Sequence, residues 1–392
     1  MEGAARGGPV THETGSIGSG PIGSGGAPPP QLPDYAGACI ANVADALGAP
    51  DSAPPDWLPA PAAGARQVVL FVLDGLGWDQ LQTRPDLAPF LTAMTGGPIT
   101  SVAPTTTATA LTSISTGLPP AQHEVVGYRV RVDSDDVLNV LRWRTGSGDA
   151  IDQVDPTLFQ RQPVFGGRQP VVVTRTEFGP TGFTLAHLPG VRLRGWRTAS
   201  SLPVVVGEAL RAGETFVYAY YDGIDKIAHE RGFGSYYDAE LRAADRLVAD
   251  VADQLPPGAA LVVTADHGQV EVGNATMGIP PGVAELATLV SGEGRFRWLH
   301  ARPGCQDELV EAVRAEFESV AWVRTVDELD EEGWYGGRLT PAGRLRLGDV
   351  AIIPFEAIAV TDPADSGEYT LRCRHGSVTA AEMFVPLIAV KA

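Results

Sequence analysis

Short, continuous apolar runs recur along the chain. Gln67–Leu73 (QVVLFVL), Thr215–Tyr221 (TFVYAYY), Ala260–Thr264 (ALVVT) and Phe384–Val390 (FVPLIAV) are each of strand length and rich in β-branched or aromatic residues. A run without polar alternation marks a strand covered on both faces. Between them lie helical stretches such as Tyr237–Leu255, where Leu241, Leu247, Val248, Val251 and Leu255 recur at helical spacing. Buried strands alternating with helices predict an α/β sandwich around a largely parallel central sheet.

The pattern also divides the chain. Residues 1–34 are rich in Gly, Pro and Ser and too poor in apolar side chains to fold alone, so a flexible tail is expected. Gly18–Gly23 matches G-x-G-x-x-G there, but no strand precedes it, and it is not read as a dinucleotide site. Residues 272–370 carry weaker apolar runs: Phe296–Ala301, a helix over Glu308–Phe317, and Val320–Val323. They predict a small α+β insertion, a cap on a catalytic domain made of 35–271 and 371–392. No internal repeat is apparent.

Charge narrows the partners. The 392 residues carry a formal net charge of -18, which argues against a duplex nucleic-acid ligand or an anionic membrane surface. A small anionic substrate stays open, because bound metal ions can reverse a local field. Cys39, Cys305 and Cys373 are odd in number and far apart, and the N-terminus MEGAARGGPV has no apolar signal core. A cytoplasmic location is therefore expected. The sequon Asn274-Ala-Thr276 carries little weight in that setting.

In open α/β sheets, ligands bind beyond the carboxyl ends of the strands. Strand 67–73 ends in Asp74. Strand 215–221 runs into Asp222 and Asp225, with His229 one helical turn further on, and strand 260–264 runs into Asp266 and His267. An Asp after a strand is by itself an ordinary cap or turn residue. Three acid or acid–imidazole groups at three strand ends call for a common cause. A fourth element, Ser101–Gly117, is a loop of hydroxyl residues entering a predicted helix at Thr107–Thr116. Helix N-termini present unpaired N–H groups to anions. A threonine there also needs activation to act as a nucleophile, which a divalent metal can provide.

These residues resemble the type I phosphodiesterase and nucleotide pyrophosphatase branch of the alkaline phosphatase superfamily. The matching pieces are LDGLG at Leu73–Gly77, PTTTATALTSISTGLPPAQH at Pro104–His123, DKIAH at Asp225–His229, ADHG at Ala265–Gly268 and RHGS at Arg374–Ser377. They occur in the family's order from about residue 66 to the C-terminus. The resemblance implies an alkaline-phosphatase-like three-layer sandwich. The family's nucleophile stands nine residues before the Thr of a Thr-Gly-Leu, which selects Thr107. It implies Asp225, His229 and His375 as ligands of one zinc ion, and Asp74, Asp266, His267 and the Thr107 oxygen as ligands of a second. Manganese or another divalent metal is the alternative. The implied reaction is hydrolysis of a phosphodiester or nucleotide pyrophosphate bond through a phosphothreonine on Thr107. The partner is then a small phosphorylated substrate, with nucleotides among the candidates.

One departure concerns substrate preference. Many relatives carry Asn three residues after the nucleophile, where this chain has Ala110; Thr109, Thr112 or a backbone N–H are the candidate replacements. Phosphomonoester and phosphonate hydrolysis and phosphosugar mutation remain as rivals on the same core. Sulfatases require a C/S-x-P-x-R pattern that is absent here. A degenerate binding protein should lack at least one ligand, and none is missing. Arg129, Arg131, Arg142 and Arg144 are candidates for a terminal phosphate or for plain surface charge. Phe165, Phe178, Phe183, Trp143 and Trp196 are candidates for stacking on a base. His123, His12, His187 and His300 are expected outside the chemistry, and Cys373 is not expected to be a ligand. Oligomeric state is not legible.

Overall fold

The computed structural model describes residues 27–48, 53–365 and 371–392. Residues 1–26 of the expected tail, with Gly18–Gly23 and His12, lie outside the described residues. The last part of that tail is packed: the Pro28 carbonyl accepts from Trp322 Nε1 at 2.7 Å, and Gln31 N–H reaches the Val378 carbonyl at 3.0 Å.

Eleven strands form a seven-stranded central sheet and a four-stranded second sheet: β1 Gln67–Leu73, β2 Thr95–Thr100, β3 Val171–Arg175, β4 Arg192–Trp196, β5 Phe216–Tyr221, β6 Ala259–Thr264, β7 Ala287–Glu293, β8 Phe296–Ala301, β9 Ala321–Thr325, β10 Val350–Pro354 and β11 Phe384–Lys391. The seven-stranded central sheet has the order β2-β11-β6-β1-β5-β3-β4. Its pairs are parallel except those made by β11, which runs antiparallel to β6 and to β2. Val68 to Leu73 and all of β5 and β6 are buried, so helices and loops cover both faces. This is the mixed α/β architecture expected from the unbroken apolar runs.

Register decides where the chemistry gathers. Leu73 of β1 lies opposite Tyr221 of β5, and Val72 lies opposite Thr264 of β6. The three strands therefore end at one edge, and the residues that follow them converge. β11 runs the other way, so its start is at that same edge: Phe384 pairs with Thr100 and Leu387 with Thr264. The segment before Phe384, which contains His375, is delivered there, as is the loop after Thr100. That loop enters α1 at Thr107–Thr116. The helix α2, Gly223–Arg231, follows β5, and α3, Ser235–Ala252, packs against it.

β7–β10 form an antiparallel sheet in the order β7-β8-β10-β9. Side chains of a strand alternate between faces, and here the two faces join different cores. Val323, Val350 and Ile352 pack with Leu309, Val313 and Phe317 of the helix Gln306–Phe317. Trp322, Ala351 and Ile353 belong instead to the main core. One face of this second sheet is thus fused to the main core, and the other closes a smaller one. No helix among the described residues is long and apolar enough to cross a membrane.

Three imidazoles are sealed into this fold. His123 hydrogen-bonds Ser113 Oγ at 2.8 Å and accepts the Val125 N–H, His187 donates to the Phe183 carbonyl, and His300 meets Ser291 Oγ at 2.8 Å. Burial pushes them down to about 3, about 4 and about 3, with Arg346 adding to the effect at His123 and Arg131 at His300. The unfolded chain therefore takes up protons below the usual imidazole range that the folded chain refuses. Their stabilising contribution is complete above about pH 6.5 and falls as pH drops toward about 4, by roughly 1.4 kcal/mol per pH unit for each group. The part of the melting temperature that depends on these three groups is expected to fall across that window. His300→Gln should flatten the profile, which a thermal melt at stepped pH checks.

Candidate metal centre

Two groups of side chains meet at the common strand edge. Asp225, His229 and His375 form one, and Asp74, Asp266 and His267 the other; in each, the ligating atoms lie within 4.8 Å of one another. The groups adjoin, with the His267 and His375 rings stacked at 3.6 Å between centroids. All six side chains singled out by the sequence are therefore brought together. Thr107 lies with them: its Oγ1 is 3.1 Å from His267 Nε2.

The fold orients each imidazole. His229 Nδ1 faces the Cys373 carbonyl at 2.7 Å, His375 Nδ1 the Thr105 carbonyl at 2.8 Å, and His267 Nδ1 the Gly268 carbonyl at 3.0 Å. A carbonyl only accepts, so each Nδ1 carries the proton and each Nε2 presents a lone pair. His229 Nε2 and His375 Nε2 then face one another at 3.2 Å, with Asp225 Oδ1 3.2 Å from the first and 3.8 Å from the second. Acceptors turned toward one another at these distances are a donor set that a metal cation would satisfy.

The second group has the same deficiency. Asp266 Oδ1 accepts the Gly75 and His267 N–H groups, both at 3.0 Å, while its Oδ2 and Asp74 Oδ1 are buried without a partner. Tyr220 O–H satisfies the other oxygen of Asp74. Burial, followed by the charges of Asp266 and Asp225, holds the Asp74 carboxyl well above the ordinary carboxylate range. Burial also raises Asp225, and burial with the neighbouring His267 and His229 pushes His375 well below its usual range. Two buried carboxyls held above their usual range, beside an imidazole held below its own, mark a site whose deprotonated donors a divalent metal would take. Asp and His side chains alone, with no thiolate, fit zinc or manganese.

The glycines of two motifs allow this convergence. Gly75 has φ +75°, and a Cβ there would stand 3.0 Å from the Asp225 backbone; a Cβ on Gly268 would meet the Ala381 carbonyl at 2.1 Å. Thr107 opens α1, whose N-cap residue Thr106 makes no side-chain capping bond, so the first N–H groups remain available to an anion.

A family model for type I phosphodiesterase / nucleotide pyrophosphatase matches residues 68–377. The chain belongs to that family. Its members are metal-dependent hydrolases of phosphoric esters, and this protein is a hydrolase of that kind. The fold is also that of murine ectonucleotide pyrophosphatase / phosphodiesterase 5, at 16% identity and a TM-score of 0.62, covering 82% of this chain and 87% of that one. An inactive variant of the murine protein was solved in complex with AMP, and matches at 15% identity, TM-score 0.62 and the same coverage. Phosphonoacetate hydrolase from Sinorhizobium meliloti 1021, in complex with phosphonoformate, matches at 18% identity and a TM-score of 0.61, covering 83% of this chain and 90% of that one. No curated protein sequence matches the chain.

Beside Thr107 opens a cleft of about 1140 Å³ that also touches Asp225, His229 and His375. Several expectations about its walls need correction. Thr112 Oγ1 is spent on the Ala108 carbonyl, and Thr109 and Ala110 are fully buried away from the cleft, so neither threonine replaces the missing Asn. Arg129 is tied to Asp362 and Asp365 at 3.1 and 2.9 Å, and Arg131 to the Leu345 carbonyl. Of the four arginines, only Arg142 lines this cleft. Phe165, Phe183, Trp143 and Trp196 are core residues, and Phe178 lies outside the cleft wall. The side chains that do form it include Tyr128, Leu141, Lys226, Glu293 and Arg374. Lys226 and Arg374 sit inside recognised motifs next to metal-site residues, a signal the sequence offered. Glu293 offered none, since only the turn between β7 and β8 brings it here.

Proposed function

We propose that the protein cleaves phosphodiester or nucleotide pyrophosphate bonds, with Thr107 as nucleophile and two zinc ions as cofactors. The observation that carries this reading is the position of Thr107 Oγ1, at a helix N-terminus and 3.1 Å from His267 Nε2, beside both acid–imidazole groups. Asp225, His229 and His375 would hold one ion; Asp74, Asp266, His267 and the Thr107 oxygen would hold the other. When bound, such ions neutralise charge on the phosphoryl oxygens and lower the pKa of the threonine hydroxyl.

Thr107 Oγ attacks phosphorus in line. The Oγ–P bond forms as the bond to the leaving oxygen breaks, and the hydroxyl proton departs with the released alcohol or nucleotide. Water then cleaves the phosphothreonine and restores the hydroxyl. The open N–H groups at the start of α1 steady the phosphoryl oxygens. The carbonyls of Thr105, Gly268 and Cys373 keep the three imidazoles in one tautomer, a second layer of contacts that tunes ligands.

Ala110 favours a second reading, hydrolysis of monoesters or phosphonates, because no side chain of α1 replaces the phosphate contact made by Asn in relatives. Turnover of bis(p-nitrophenyl) phosphate and p-nitrophenyl phosphate by zinc-loaded protein separates the two. Faster diester turnover, lost on chelation and restored by zinc, is the expected outcome. A monoester preference moves the assignment to the second reading, and no turnover of either ester by zinc-loaded protein removes the first.

A further inference from the structure

Three arginines gather where the second sheet meets the metal centre, and two are fully engaged. Arg295 forms a bidentate pair with Glu382 at 2.8 and 2.7 Å and donates to the carbonyls of Glu356, Ile358 and Pro354. Arg297 is closed by Asp365 and by the Val360 carbonyl. Arg374 differs. It lines the cleft with Thr107 and His375, its Nε is buried without a partner, and none of the ion pairs among the described residues includes it.

Its place is fixed. The backbone of Cys373–Arg374 pairs antiparallel with Val270–Glu271, and the next side chain, His375, is anchored on the Thr105 carbonyl. The guanidinium lies over the turn after β7, where a Cβ on Gly294 would come within 2.9 Å of Nη1. The other cations of the cleft are less suited to hold an anion: the Lys226 ammonium is paired with Asp222, and Arg142 is exposed. Glu293, on the same wall, is a weak competitor, since burial pushes its carboxyl up to about 8.

A buried donor left without an acceptor is costly, and a planar guanidinium with open N–H groups matches anionic phosphate oxygens. We propose that Arg374 binds an anionic oxygen of the substrate beyond the single charge of a phosphodiester. It thereby favours substrates with a second negative charge close to the attacked phosphorus, either on that phosphorus, as in a monoester, or on the next one, as in a pyrophosphate. In a simple diester the third oxygen carries an ester group instead, and Arg374 has nothing to receive. The inference rests on the phosphoryl-transfer reading of the Thr107 site.

The test compares zinc-loaded parent, Arg374→Ala and Arg374→Lys on p-nitrophenyl phosphate, ADP and bis(p-nitrophenyl) phosphate. Arg374→Ala is expected to lower kcat/KM on at least one doubly charged substrate by about 10- to 100-fold, mainly through KM, the size of one charge-assisted contact. The diester should change by less than about threefold, and Arg374→Lys should recover part of the loss. Which substrate suffers tells on which phosphorus the second charge lies. Equal losses on all three, or none, would overturn the proposal. Orthophosphate binding, read by calorimetry in a zinc-loaded Thr107→Ala background, should weaken about tenfold when Arg374→Ala is added. Unchanged phosphate binding would overturn it too. Failure of the underlying reading has a different signature, namely retained hydrolysis in Thr107→Ala alone.

Discussion

Replacing Thr107 with alanine is expected to lower kcat by at least about a thousandfold while leaving the fold and the metal content intact. The hydroxyl carries no structural duty that alanine would betray. Thr107 is the first residue of α1 rather than its cap, and its Oγ1 contacts His267 and not the helix backbone. Both acid–imidazole groups keep all six side chains in the variant. Turnover should therefore vanish without a change in melting temperature, and metal analysis should still give two ions per chain. Thr107→Ser, which keeps the oxygen, should retain measurable activity. Equal loss in the serine and alanine variants would point to a packing role for the threonine methyl group instead. Steady-state kinetics beside a thermal melt separates the cases.

The second large effect is on stability. Glu382 is fully buried and forms the carboxylate half of the bidentate pair with Arg295, itself fully buried. It also accepts the Ser377 N–H at 3.1 Å and the Thr379 hydroxyl at 2.6 Å, and its own carbonyl accepts the Gly268 N–H at 2.8 Å. One residue thus ties the second sheet to the turn after His375 and to the turn after His267. Glu382→Gln leaves the Arg295 charge buried and uncompensated, and breaking such a pair from one side costs about 3–5 kcal/mol. The urea midpoint should fall accordingly. Because the turns bearing His375 and His267 lose a common anchor, metal affinity should weaken as well. A double replacement, Arg295→Met with Glu382→Leu, removes both charges and should recover much of the stability without recovering the metal affinity. Additive losses in the double variant would show that the pair is not the source.

The sequence disclosed those parts of the protein that local chemistry determines. β1 and α1 have the bounds read from the chain, and β5, β6 and β11 differ by one residue at an end. Their apolar runs are unbroken because both faces are covered, and such runs are hard to mistake. β3 and β10 are equally buried but escaped notice, because VVVTR and VAIIP are short runs set among Pro, Gly and charged residues. The six side chains of the candidate metal centre were legible because each follows directly from a strand end or lies in a compact motif. The cleft was not. Tyr128 and Leu141 come from separate loops and Glu293 from the end of β7, and only the folded chain brings them opposite Thr107. The aromatic candidates failed for a related reason: composition cannot distinguish a ring free to stack from one sealed in the core, as Trp143 and Trp196 are. The arginines divided likewise, since whether one is spent on a carboxylate or left for a substrate depends on partners remote in sequence.

The central claim is a covalent phosphothreonine, and trapping it tests that claim most directly. Zinc-loaded protein turning over bis(p-nitrophenyl) phosphate would be quenched in acid within the first cycles, digested, and the peptide containing Thr107 weighed and sequenced by mass spectrometry. The account predicts a phosphoryl ester, with its nitrophenyl group still attached, on Thr107 of the parent and none on that peptide in Thr107→Ala. Steady turnover with no adduct on Thr107, together with full activity of Thr107→Ala, would contradict it.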